Sequence, residues 1–288
     1  MIQILLYGLV TGTQVLLVAL ALFLVYSVSR VFNLAFGAIA AAVAYSLYFA
    51  IHASLPLWFM IALPLAVAIV LGILNFFLNE SFVKKQEYLF ALLVSFSFGV
   101  MLESLISIIF GTDGKSLISG ILPVLEFGQY QIPLPGSIMI GLGAFLGIVS
   151  FLSVRYTPWG RMLRSISENP FSAISLGLNS KKIRLFAYVL GSLLVGMVGI
   201  LAGFNTALTP YMGFQIIVMA FIAFLVGGVS DIKGTIVASY LIVLVPEFLI
   251  GSSQTISTNW WMVLVFGVAL ISLVFRPEGL FAGRQRKS

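Results

Sequence analysis

The chain has 288 residues, of which 61% are hydrophobic and only 8% charged, with a mean hydropathy of +1.15. Soluble globular chains carry about 25% charge, so this one cannot cover its surface with polar groups; a soluble globular protein is excluded and its solvent is lipid. It has no Cys, which removes disulfides, thiolate metal sites and cysteine nucleophiles, and its formal charge of +6 has to be explained by where the Lys and Arg residues fall.

In chain order, nine hydrophobic segments run at about 4–27, 33–51, 56–78, 88–110, 136–154, 184–204, 214–229, 234–250 and 258–275. Runs of this kind suit a hydrocarbon core about 30 Å thick. A transmembrane β-barrel would show short alternating segments instead. The expected fold is therefore all-α, a polytopic membrane helical bundle of about 8–9 transmembrane helices forming one domain over residues 1–288. The start, MIQILLYGLV, has no basic region and no small-residue cleavage site, and reads as the first span rather than a removable signal. Nine spans put Arg30, Lys84, Lys85, Arg155, Arg161, Arg164, Lys181, Lys182, Arg184, Lys233, Arg276, Arg284, Arg286 and Lys287 on one side and leave only Lys115 on the other. Lys and Arg gather on the cytoplasmic side of short loops, so the N-terminus is expected outside and the C-terminus in the cytoplasm. The basic balance is then a topology signal that needs no nucleic acid.

Single glycine pairs such as Gly8/Gly12 and Gly143/Gly147 read as the ordinary glycine content of membrane helices. Close helix packing is expected of GSLLVGMVGILAG, with four glycines in one span. The single histidine, His52, falls in the short loop IHASLP and reads as a solvated side chain rather than a metal ligand. The segment GTDGKS ends like a phosphate-binding loop, but the required first Gly is Ile109. The loop 111–135, with Pro123, Pro133 and Pro135, is expected to face an external partner.

Residues 155–183 form the long cytoplasmic loop under this topology. GRMLRSIS places Met162, Leu163 and Ile166 at helical spacing. Pro170 disfavours helix in the residue before it, while Asn169 and Pro170 suit the N-cap and first position of a new helix. Gly177 can end that helix in a left-handed turn, with Phe171, Ile174 and Leu178 along one side. Two helices this short are not stable alone. From the residues alone they rest on the protein's own helix ends, on lipid or on a protein partner.

The stretch RYTPWGRMLRSISENPFSAISLGLNSKKIRLFAYVLGSLLVGMVGILAG resembles the cytoplasmic loop and following helix of the LivH-type permeases, subunits of ATP-binding-cassette importers for branched-chain amino acids. Gly160, Arg161, Arg164, Glu168, Asn169, Pro170, Ala173, Gly177 and Asn179 match the family pattern. Further matches are the Asn-containing start of the second span, the Thr209-Pro210-x-x-Gly213 turn, the Gly227-Gly228 and Gly234 segment ending in Glu247, and the Arg276-Pro277-x-Gly279-Leu280-Phe281 tail. Where the family often carries His after the Asn-x-Ala of the second span, this chain has Phe36. The resemblance implies that the loop is a coupling helix docking on a cytoplasmic ATPase, through Gly160, Arg161, Arg164, Glu168, Asn169, Pro170, Ala173 and Gly177. It implies two ATPase subunits, a second permease that is LivM-like or another copy, and an extracytoplasmic binding protein. It implies no enzyme activity and no cofactor in this chain, with ATP bound by the partner ATPases.

Polar residues inside spans are rare and face the bundle interior or a water-filled path. Glu103 and Glu247, with Asn33 and Asn205, are candidates for lining a translocation path; the favoured alternative has Glu103 protonated or hydrogen-bonded between helices and Glu247 holding a helix end near the interface. The turn residues Thr209, Pro210 and Gly213 join them through the resemblance. Ser95 and Ser97 are similarly placed. The competing function is an ion-coupled secondary transporter of a small polar solute. That class shows inverted repeats and paired broken helices, and no such repeat is evident. A membrane enzyme lacks a nucleophile, base and orienter.

Overall fold

A computed structural model describes residues 2–117, 124–127, 130–168, 173, 177–229, 231–252, 257–276 and 279–280. Among these residues the chain forms ten α-helices: α1 Ile2–Ser29, α2 Ala35–His52, α3 Leu57–Lys84, α4 Tyr88–Phe110, α5 Leu134–Tyr156, α6 Pro158–Glu168, α7 Ser180–Asn205, α8 Met212–Gly227, α9 Ile232–Ser252 and α10 Trp261–Phe275. Seven are long and apolar enough to cross a membrane; α8 and α10 are shorter apolar helices, and α6 is a short amphipathic one. These account for the nine hydrophobic segments of the sequence, and the chain is a multi-pass membrane protein.

Contacts between the elements set the direction of each traverse. At one end, Arg30 donates to the Ser167 carbonyl, Glu80 pairs with Lys84 and Arg184, and Lys233 lies over the Phe151 ring. Most described basic side chains gather there, so we call it the basic end. At the opposite, distal end, Gln3 exchanges hydrogen bonds with the Gln131 backbone and Lys115 pairs with Leu208. The nine apolar helices run alternately between the two ends.

The core is built around α1, which packs on α5, α7, α8 and α9 and buries most of its length. Small residues decide how close the neighbours come. A Cβ on Gly8 would lie 2.9 Å from Leu244, one on Gly12 2.8 Å from Tyr240, and one on Gly199 2.1 Å from the Ala40 carbonyl. The isolated pairs, read from sequence as ordinary glycine content, are therefore packing sites as much as the four-glycine span is. Phe36, at the position that departs from the family pattern, is fully buried against Gly191, where a Cβ would meet its ring at 2.6 Å.

Most helix ends lie within a few residues of expectation, and three differences have a structural reason. The third helix continues six residues past 78 to Lys84, because Glu80 is neutralised by Arg184 rather than left bare at the lipid boundary. The second helix begins at Ala35, not 33; residues 30–34 form a non-helical climb into the bundle. In the expected external loop, Val124–Phe127 and Tyr130–Pro133 pair as an antiparallel hairpin, four residues per strand and too short to stand out beside the long helical runs.

Candidate functional site

The link between α7 and α8 shapes the distal half. Thr206 closes α7 in an extended conformation, and Leu208 is held by a two-way backbone pairing with Lys115 and by the Tyr45 hydroxyl. The chain then turns through Thr209 and buried Pro210 into α8, whose second residue, Gly213, abuts Gly37 so tightly that a Cβ would sit 1.9 Å from the Gly37 oxygen. The link is buried in protein at Leu208 and Pro210 and lines a cavity at Thr206 and Thr209, the two settings in which membrane proteins tolerate irregular backbone.

The cavity is a distal cleft of about 580 Å³ between α1, the α7–α8 link, α8, the end of α9 and the start of α10. Its polar lining is Thr11 and Gln14 of α1, Thr206, Thr209, Gln215 of α8, Glu247 of α9 and Asn259. Met212, Ile216, Met219, Trp261 and Met262 supply the apolar wall. Glu247 reaches it because Gly8 lets α9 lie against α1, with the Glu247 Cγ 3.5 Å from where a Gly8 Cβ would be. One carboxylate, three amides and a methionine wall, in a volume within the roughly 300–1,000 Å³ of small-molecule sites, can hold a small molecule that is cationic at one point, polar beside it and apolar at the far end.

Of the sequence-predicted path residues, Glu247 and Thr209 line this cleft; Pro210 is buried in the link and Gly213 packs on Gly37 of α2, so neither lines it. Asn205 points away, donating to the Leu201 carbonyl at 3.1 Å and lining a smaller pocket beside Ser116 and Leu117. Glu103 is half-buried in a separate apolar groove of about 270 Å³ between α2, α4 and α8, among Phe32, Phe96, Phe214 and Phe221. Asn33 is fully buried at the α1–α2 break, where its Oδ1 accepts from the Ala35 N–H and from Asn75 Nδ2. Ser95 bonds the same break, donating to the Phe32 carbonyl and accepting from the Leu34 N–H, while Ser97 is exposed. Sequence reasoning missed Thr11, Gln14, Thr206, Gln215 and Asn259. Their one-dimensional signal was present in Gln14, an uncharged amide inside the first span.

At the basic end, α6 is a separate short helix. Thr157 caps it, its hydroxyl accepting from the Gly160 N–H at 3.1 Å. Gly160 is required: a Cβ would lie 2.3 Å from the Ser153 and Val154 carbonyls. Leu163 and Ile166 are buried in the chain's own core, and Arg164 donates to the Val154 carbonyl at 2.8 Å, capping the end of α5. This leaves Arg161, Ser165 and Glu168 as the exposed face of α6. Asn169 and Pro170 lie outside the described residues, as do Phe171 and Ile174. Ala173 is helical and buried. The Leu178 N–H returns to the Ala173 carbonyl at 3.2 Å and Gly177 has φ of +84°, the Schellman ending of a helix. Gly177 itself is exposed, with open space where a Cβ would stand.

Comparisons with known proteins agree with this architecture. Residues 4–274 match the family described as branched-chain amino acid transport system / permease component. The high-affinity branched-chain amino acid transport system permease protein LivH of Escherichia coli K12 is 26% identical over 95% of this chain and 92% of its own. BraD of Pseudomonas aeruginosa, a permease protein of the same kind of system, is 26% identical over 58% of this chain and 51% of its own. A chain in the structure of PsaBC from Streptococcus pneumoniae in complex with Fab shares the fold, with a TM-score of 0.54 and 17% identity over 95% of this chain and 92% of that one. The chain thus belongs to the family of permease components of branched-chain amino acid transport systems.

Proposed function

We propose that this chain is the membrane-spanning permease subunit of an ATP-binding-cassette importer that carries branched-chain amino acids across a bacterial or archaeal cytoplasmic membrane. The observation that carries the reading from family to substrate is the lining of the distal cleft. An amino-acid zwitterion offers its ammonium to Glu247 and its carboxylate to the amide N–H groups of Gln14, Gln215 and Asn259. A branched aliphatic side chain then lies against the methionine wall, which adapts to irregular apolar shapes.

In this reading the basic end faces the cytoplasm and the N-terminus lies outside. A binding protein delivers substrate to the distal end, and a second permease, LivM-like or another copy, completes the path. Two ATPases drive the assembly, one of them docking on this chain's loop between α5 and α7. The chain itself uses no cofactor. ATP binding draws the ATPases together, and the loop's movement shifts the bundle between two global states.

The test is affinity purification of the tagged protein from native membranes in mild detergent, followed by uptake in proteoliposomes. Expected are co-purifying ATPases, lost when residues 168–178 become a Gly/Ser linker, and ATP-dependent uptake of leucine. Intact protein recovered alone, with uptake that ignores ATP and follows an ion gradient, would instead make it a self-contained carrier.

A further inference from the structure

Between the basic-end loop and the start of α2 the described residues form a buried polar seam, made of two hydrogen-bonded clusters joined through the α3 backbone between Asn79 and Glu80. It starts at the beginning of the second turn of α7, just past the loop, where Arg184 grips Glu80 of α3 with Nε to Oε2 at 2.9 Å and Nη2 to Oε1 at 2.7 Å. Asn79, next on α3, donates from Nδ2 to the Asn75 carbonyl and to Asn75 Oδ1, both at 2.8 Å. Asn75 Nδ2 donates to Asn33 Oδ1 at 3.0 Å, and Asn33 holds the first N–H of α2. Two residues further, Gly37 meets Gly213, the second residue of the helix that walls the cleft. Arg184 and Glu80 are 9% and 7% exposed, and the three asparagines at most 1%.

Lipid-embedded helices gain little from such groups as packing material, and a buried amide without a partner is costly. Two atoms of this seam, Asn33 Nδ2 and Asn79 Oδ1, are nevertheless buried without a partner among the described residues. One is a donor and the other an acceptor, so the seam holds spare pairing capacity, as an element with a second arrangement requires. Buried, hydrogen-bonded links of this kind are stiff and directional in low dielectric.

We propose that the Arg184–Glu80–Asn79–Asn75–Asn33 seam transmits movement of the basic-end loop to α2 and, through the Gly37–Gly213 contact, to the wall of the distal cleft. The inference rests on the importer reading above and assigns Asn75 as its central positioning residue. Asn75→Leu cuts the seam without stranding its neighbours: Asn33 Oδ1 keeps the Ala35 N–H, and Asn79 Nδ2 keeps the backbone carbonyl of residue 75. Arg184→Lys is the second variant, keeping the charge and losing the two-pronged grip. Ser239→Ala is the control, a buried hydroxyl on α9 whose one bond among the described residues is to Thr235 in its own helix.

The experiment reconstitutes the complete importer in proteoliposomes and measures leucine moved per ATP hydrolysed. Expected are normal assembly and basal hydrolysis in both seam variants, with the transport-to-hydrolysis ratio down about 2- to 30-fold, the span of measured coupling effects, and no change for the control. A wild-type assembly without ATP-dependent uptake would sink the importer reading itself. A working wild type with folded seam variants that keep its ratio overturns the seam alone. So does failure of both variants to fold, since the seam would then be only structural.

Discussion

The Glu80–Arg184 pair gives a stability prediction whose size and asymmetry follow from the geometry. Both side chains are about nine-tenths buried, so removing one partner strands a charge, at a cost of about 3–5 kcal/mol. The two halves are not equivalent. Glu80→Leu leaves Arg184 without an acid, since its only ion pair among the described residues is with Glu80. Arg184→Leu leaves Glu80 with Lys84 at 3.6 Å. Lys84 is 58% exposed, so this second pair is worth at most about 1 kcal/mol. Glu80→Leu should therefore destabilise by the full amount and Arg184→Leu by up to about 1 kcal/mol less. The double variant should recover to near wild type, because replacing both members of a buried pair by apolar groups is often neutral or stabilising. The assay is thermal unfolding of the purified protein in one detergent, arranged as a double-mutant cycle. The reasoning is refuted if Glu80→Leu unfolds with the wild type, or if the double variant is as unstable as the two single changes summed.

Gly213→Ala should lower stability by about 1–3 kcal/mol, the usual cost of overpacking, because its Cβ meets the Gly37 backbone; Gly141→Ala on α5, with open space around it, should be neutral or slightly stabilising in the same melting assay. Gly177→Arg should insert and fold, at a strain of about 1–2 kcal/mol for a left-handed residue, yet abolish ATP-dependent uptake; normal uptake would remove the loop from the coupling path. Glu247→Gln should weaken leucine uptake at least about tenfold at unchanged expression, as loss of one charged hydrogen bond implies, and Asn205→Ala, off the cleft, should leave uptake unaltered.

Much of this protein could be read along the chain. A lipid solvent acts on each residue by itself, so runs of apolar residues marked all nine hydrophobic helices, and the crowding of Lys and Arg into alternate loops predicted their alternation. Gly177 was legible for a similarly local reason: a residue that must take positive φ ends a helix, and glycine does so without strain. Close packing behind Gly8, Gly12 and Gly143 was not legible, because a glycine's partner lies on another helix. The same holds for the polar groups. Glu247 and Gln14 each announce themselves as costly in a membrane, but nothing in either segment says that they share a cleft, or that Asn205 turns its back on it. Nor does anything near Asn33 in the sequence say that its Oδ1 accepts from Asn75, 42 residues away on another helix. The sequence by itself determined which residues lipid would accept, where the helices run and which family they compose. Only the tertiary structure decided which intolerable polar groups satisfy one another and which are left facing a cavity, because hydrogen bonding is a relation between positions that hydropathy, a property of single residues, does not contain.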